Sequence, residues 1–162
     1  MTQDYINAQN LALNRNRKSL LAFLFLSFLT GFIIRTFLQT PEQMLWYDTL
    51  YTSTLSPPNA VFAIVWTVIY ILLALVGYLA YGKEHLGTYY MQFIAQLIWS
   101  FTFFVAHQLW LSVAVICCLF FIILMMIQTY FSKSTLAAIL LMPYLAWVGF
   151  AAYLNIAAAI LN

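Results

Sequence analysis

The sequence predicts an all-α membrane protein: a bundle of five transmembrane helices, with the N-terminus cytoplasmic and the C-terminus outside. Three observations carry this. The 162-residue chain is 65% hydrophobic and 6% charged, with a mean hydropathy of +0.94, whereas a soluble domain is about a quarter charged. The uncharged stretches recur in units of a bilayer crossing, about 20 apolar residues. The basic residues sort to one side. Alternating ten-residue segments, the mark of a transmembrane barrel, are absent.

The first 18 residues are polar and form a tail, either disordered or a short surface helix. Residues 19–162 read as one domain. The first span covers 20–38. Its flanking Arg15, Arg17 and Lys18 resemble the start of a signal peptide, but no small-x-small cleavage site follows, so the helix reads as retained. Residues 39–58 form the only long loop. There Trp46-Tyr47-Asp48 suits the membrane interface, and Pro57-Pro58 stops one element and pre-sets the next. The second span is 59–81. The uncharged run 85–132 holds two more, 89–106 and 109–131, broken near Ala106-His107-Gln108. The fifth span is 136–160.

With the N-terminus inside, Arg15, Arg17, Lys18, Lys83 and Lys133 are all cytoplasmic. Of the six basic residues only Arg35 falls near the other face, where it is expected to snorkel. The net charge of +2 therefore reflects topology, not nucleic-acid binding. Asp4, Glu42, Asp48 and Glu84 lie in the tail or loops, so no carboxylate relay crosses the membrane. No nucleophile, acid–base pair or metal set is visible. Cys117 and Cys118 are adjacent in the fourth span and read as apolar filler, His85 reads as solvated, and His107 as an interfacial polar residue.

Polarity inside the spans is more informative. Gln92, Gln96, Trp99, Ser100, Phe103 and His107 follow helical spacing on the third span. Phe62, Trp66 and Tyr70 are four apart on the second. Tyr144, Trp147, Ala151 and Asn155 share a face of the fifth. Gln96 and Asn155 need partners in lipid and should point inward. Such faces can simply glue helices together. Three of them, each with a Trp and a polar group, can also wall a pocket for a flat apolar ligand, with room left beside Ala151.

The same residues resemble a known family. Pro143-Tyr144-Leu145-Ala146-Trp147, Phe150-Ala151 and Leu154-Asn155 are similar to the fifth-helix signature of the tryptophan-rich sensory protein / translocator protein (TspO/MBR, peripheral-type benzodiazepine receptor-like) family. Trp46-Tyr47 with Pro57-Pro58 resembles its first loop, and Trp66 with Tyr70 its second helix. Gln96-Leu97-Ile98-Trp99-Ser100 with Phe103-Phe104 resembles its third-helix motif. The resemblance spans 45–155. It implies a five-helix bundle, often dimeric, in a bacterial inner or outer mitochondrial membrane. It also implies a pocket beneath the first loop that takes porphyrin or haem as ligand, with no required cofactor. Some members bind cholesterol or benzodiazepine-type drugs. The matching pocket positions are Tyr47, Trp66, Trp99, Phe103, Trp147, Ala151 and Asn155; Tyr70, Gln96, Ser100 and Tyr144 complete the candidate ligand site. Tetrapyrrole handling, stress sensing or regulation is the implied role. Photo-oxidative porphyrin degradation in the same pocket, or transport or regulation through a partner, is the alternative.

The chain departs from the family at four places, one being an Asp common in the family's fourth helix that has no counterpart here, since no acid occurs between His85 and Asn162. Gln96 stands where an Asn is usual. Thr52-Ser53-Thr54-Leu55 replaces Lys-Pro-x-Trp. Asn155-Ile156-Ala157-Ala158-Ala159 lacks the Tyr and cation of the cholesterol motif. Ser27-x-x-x-Gly31 on the first span is a small-x-x-x-small pair, which suits either a homodimer or close packing within one bundle.

Overall fold

The computed structural model describes residues 2–81, 86–132 and 134–162, with side chains from Arg17 onward. Arg15 as a side chain, and Lys83, Glu84, His85 and Lys133, lie outside the described residues. The chain forms α1 (Thr2–Ile33), α2 (Pro41–Asp48), α3 (Asn59–Ala80), α4 (Gly87–Ser100), α5 (Leu109–Phe131) and α6 (Thr135–Leu161). No strand occurs among the described residues.

Four stretches there are long and apolar enough to cross a membrane: Arg17–Leu38, Asn59–Ala80, Leu109–Phe131 and Thr135–Leu161. The expected third span is different. Its α-helical part, α4, is fourteen residues, and it gains length by running into a π-helical segment, Phe101–Val105. The first span ends in the same way, with a π-helical segment at Ile34–Leu38. These wider turns are common at functional sites. Two further boundaries depart from the sequence reading. Helical backbone begins at Thr2, so α1 runs through the polar tail without a break. The long loop contains α2, an eight-residue helix opened by Pro41 at its first turn, where a missing N–H costs nothing. Its apolar face is too short to show a periodic signal.

α5 packs chiefly on α6, α1 on α3, α4 on α5, and α3 on α6. The exterior is apolar: Phe25, Ile64, Phe121 and Ile160 are each more than 60% exposed. The interior holds the polar side chains instead, with Gln92, Gln96, Ser100, Ser112 and Asn155 all buried. That inversion is what a lipid solvent demands. Close approach of α1 and α3 depends on Gly31, where a Cβ would fall on the ring of Tyr70. On α3 itself, a Cβ at Gly77 would fall on Phe23 and Tyr89. The Ser27-x-x-x-Gly31 pair thus faces into the bundle, with Ser27 fully buried.

α6 carries Pro143 in its interior and stays helical through it. The proline is exposed and the next residue, Tyr144, is fully buried, so the position without an N–H faces outward.

Candidate functional site

The C-terminal ends of α1, α4 and α6 and the N-terminal end of α3 surround a cavity of about 720 Å³. It lies at the end of the bundle opposite Arg17 and Lys18. Spacing by three and four places Phe28, Gly31, Phe32 and Arg35 on one stripe of α1 and its π turn, and that stripe is one wall. α3 supplies Phe62, Trp66 and Tyr70; α4 supplies Gln96, Trp99 and Ser100. Phe103 and Phe104 come from the second π turn, and Ala151, Leu154 and Asn155 from α6. Met44 and Tyr47 of α2 close the top.

Most of the candidate residues therefore meet in one place: Tyr47, Trp66, Tyr70, Gln96, Trp99, Ser100, Phe103, Ala151 and Asn155. Tyr144 and Trp147 share their helical face but do not line the cavity. Tyr144 is fully buried beneath its floor. Its hydroxyl accepts from Gln96 Nε2 at 2.6 Å and donates to Gln92 Oε1 at 2.8 Å. Gln96 Nε2 also donates to Gln92 Oε1 at 3.0 Å, and Tyr70 donates to Gln96 Oε1 at 3.4 Å. Four side chains from α3, α4 and α6 thus form one network under the cavity. Trp147 packs edge-on against Phe62, with ring centroids 5.5 Å apart, and its buried Nε1 has no hydrogen-bond partner.

A second chain of bonds runs along the side wall. Trp99 Nε1 donates to Asn155 Oδ1 at 2.9 Å, Asn155 Nδ2 to Ser112 Oγ at 2.9 Å, and Ser112 Oγ to the Leu109 carbonyl at 2.7 Å. Asn155 is thereby engaged on both atoms in tying α4, α5 and α6 together. Both polar atoms of its side chain are thus taken by neighbours, one of them the Trp99 indole. Ser100 is the contrasting case: it lines the cavity, is fully buried, and its Oγ has no partner.

The walls are aromatic. Trp66 lies over Tyr70 at 5.8 Å and 30°. Trp99 lies over Phe103 at 6.1 Å and 30°. Above them, Tyr47 leans on Phe103 and Phe104, and Trp46 meets Phe103 edge-on at 5.8 Å. Trp46 also meets His107 in a stack. The backbone of His107 sits at φ 53°, in the left-handed region that non-glycine residues seldom adopt. The rest of the loop is tied to α6. The Asn162 carboxamide pairs with both the N–H and the carbonyl of Tyr51, and Ser53 bonds Tyr153 at 3.0 Å. Burial, and then the charge of Asp48, push the Tyr47 phenol above its ordinary pKa.

Helical spacing missed part of the rim: Thr36, Gln39, Thr52, Ser56 and Asn59. These lie in a π turn, a loop and a helix start, where no 3.6-residue period applies. Arg35 was legible as the continuation of the Phe28–Gly31–Phe32 stripe. The expectation that it snorkels away accounts for its exposure but not for its place at the cavity mouth. Among the described residues no group of three or more His, Cys, Asp or Glu could hold a metal. Cys117 and Cys118 are free thiols on α5, away from the cavity lining.

Comparison with known proteins identifies the family. The model of the TspO/MBR family matches residues 20–161. A tryptophan-rich protein TspO of Archaeoglobus fulgidus is 30% identical over 151 residues, covering 89% of this chain and 94% of that protein. A protein of the same name from Chlorobaculum tepidum is 33% identical, covering 82% and 88%. A tryptophan-rich sensory protein of Cereibacter sphaeroides is 31% identical, covering 72% and 77%. The chain is an integral membrane protein and belongs to the TspO/MBR family.

Proposed function

We propose that the cavity binds a tetrapyrrole, porphyrin or haem, flat against the rings of Trp66 and Trp99 beneath the α2 lid. The observation that carries this is a cavity of about 720 Å³ whose walls are aromatic on two helices and whose floor and side are closed by hydrogen bonds. That volume suits a ligand of several fused or linked rings. Because the networks already satisfy Gln96 and Asn155, the interior offers ring faces more than polar groups. Polar contacts gather at the rim. A role in tetrapyrrole handling or sensing fits such a binder better than catalysis, since no acid–base pair or metal set faces the cavity among the described residues.

The same reading takes α4 with its π turn as a fifth span. The N-terminus is then cytoplasmic, the lid lies outside, and the membrane is the bacterial inner membrane. Arg17 and Lys18 at the end opposite the lid support that orientation. Titration of the purified protein with protoporphyrin, haem and a sterol tests the ligand. Saturable porphyrin binding that Trp66→Leu weakens is the expected result; sterol binding without porphyrin binding would overturn it.

A further inference from the structure

The geometry points to Arg35 as the group that gives the cavity its preference for an acidic ligand: it pairs with a free carboxylate on the bound molecule, so the free acid binds in preference to its ester. This rests on the tetrapyrrole reading above and adds to it a direction and a selectivity.

Among the described residues Arg35 is the one charged side chain that lines the cavity, and no Asp or Glu there lines it. Its partner is neutral: Nη1 donates to the Gln39 carbonyl at 2.5 Å. That bond closes the π turn on itself and holds the guanidinium at the mouth while leaving its charge uncompensated. The remaining guanidinium donors can take a carboxylate through two parallel bonds, a geometry that a lysine cannot reproduce. The position also limits the cost. Arg35 is exposed at the outer end of α1, so its own hydration is largely kept, while the apolar wall beside it lowers the local dielectric and strengthens attraction for an anion. Thr36 and Asn59 add neutral polar groups at the same rim.

The opposite pole of the cavity is built differently. Trp66, Tyr70, Trp99 and Phe103 present rings, and among the described residues the hydroxyl of Ser100 is the one buried polar atom there that no neighbour satisfies. A planar ligand with acidic groups on one edge therefore has a single favourable orientation: rings inward, carboxylates at Arg35.

The test compares protoporphyrin IX with its dimethyl ester on the wild-type protein, Arg35→Gln and Arg35→Lys, by fluorescence titration in detergent. A charge-assisted hydrogen bond of ordinary strength corresponds to about tenfold in affinity or more. The wild type should hold the diacid about tenfold tighter than the ester. Arg35→Gln should bring the diacid down to the ester's level and leave the ester unchanged, with Arg35→Lys between them. Unchanged ester binding by Arg35→Gln also shows that the variant is folded. Equal loss of both ligands in Arg35→Gln, or a wild type indifferent to esterification, overturns the role of Arg35 while the tetrapyrrole reading stands. Failure of the wild type to bind either porphyrin overturns both.

Discussion

The imidazole of His107 lies flat on the indole of Trp46, with ring centroids 3.8 Å apart and an interplanar angle of 8°. The contact joins the lid helix to the turn between α4 and α5, and His107 holds it from a backbone at φ 53°. A left-handed residue without glycine's freedom costs about 1 kcal/mol or more, so the turn is set against its own preference where it meets the lid. His107→Gly removes the ring and relieves the backbone together. An aromatic stack contributes about 0.5–1.5 kcal/mol. The variant should therefore release bound porphyrin about 2- to 10-fold faster in stopped-flow dissociation, without a loss of thermal stability.

Loss of the Asn155 carboxamide is expected to lower stability more than affinity. Asn155→Ala leaves the Trp99 Nε1 and the Ser112 Oγ without their partner. In membrane bundles an interhelical hydrogen bond contributes about 0.6 kcal/mol on average and up to about 1.7. Two are lost here, so unfolding in a denaturing detergent titration should shift by about 1–3 kcal/mol.

Two tryptophans give opposite forecasts. Trp66 lines the cavity and Trp147 does not. Trp66→Leu should weaken porphyrin binding about fivefold, in keeping with loss of one aromatic contact of about 1 kcal/mol. Trp147→Phe should leave affinity within about twofold, because it keeps the packing on Phe62 and removes an N–H that has no partner. A larger fall in Trp147→Phe than in Trp66→Leu would show that the ligand enters between α3 and α6 instead.

Gly31→Ala places a methyl against the Tyr70 ring, which sits between Phe28 and Trp66. Overpacking of this kind costs about 1–3 kcal/mol. The ring can move only toward the cavity or by separating α1 from α3. Lower thermal stability together with weaker porphyrin binding is the expected pair; a fall in stability alone would mean the helices part and the cavity keeps its shape.

The sequence reading and the structure agree where periodicity operates. Trp66, Tyr70, Gln96, Trp99, Ser100, Ala151 and Asn155 share a cavity because i, i+3 and i+4 spacing holds along α3, α4 and α6, and Phe103 joins them from the π turn that follows α4. Tyr144 and Trp147 show the limit of that reasoning. A helical face is wide enough to address the cavity at one residue, the bundle core at another and a neighbouring ring at a third. Spacing does not say how deep along the axis the cavity reaches. The rim was hidden for a different reason: Thr36, Gln39 and Thr52 belong to a π turn and a loop, and their direction follows from local backbone geometry. The lid helix was half visible, as Trp46 and Tyr47, but eight residues are too few for a period to show.

The short reach of α4 has a consequence for the membrane around it. Fourteen α-helical residues and five more in the π turn give under about 30 Å of rise, while α5 and α6 extend to 23 and 27 residues. On the five-span reading, the bundle is shallower at α4 than elsewhere, and α2 rests over that shortfall through Trp46 and Tyr47 on Phe103. A bilayer thick enough for α6 is mismatched at α4, and the strain falls on the segment that carries the lid. Acyl-chain length in the surrounding lipid is therefore a variable that acts on the mouth of the cavity without touching any residue inside it.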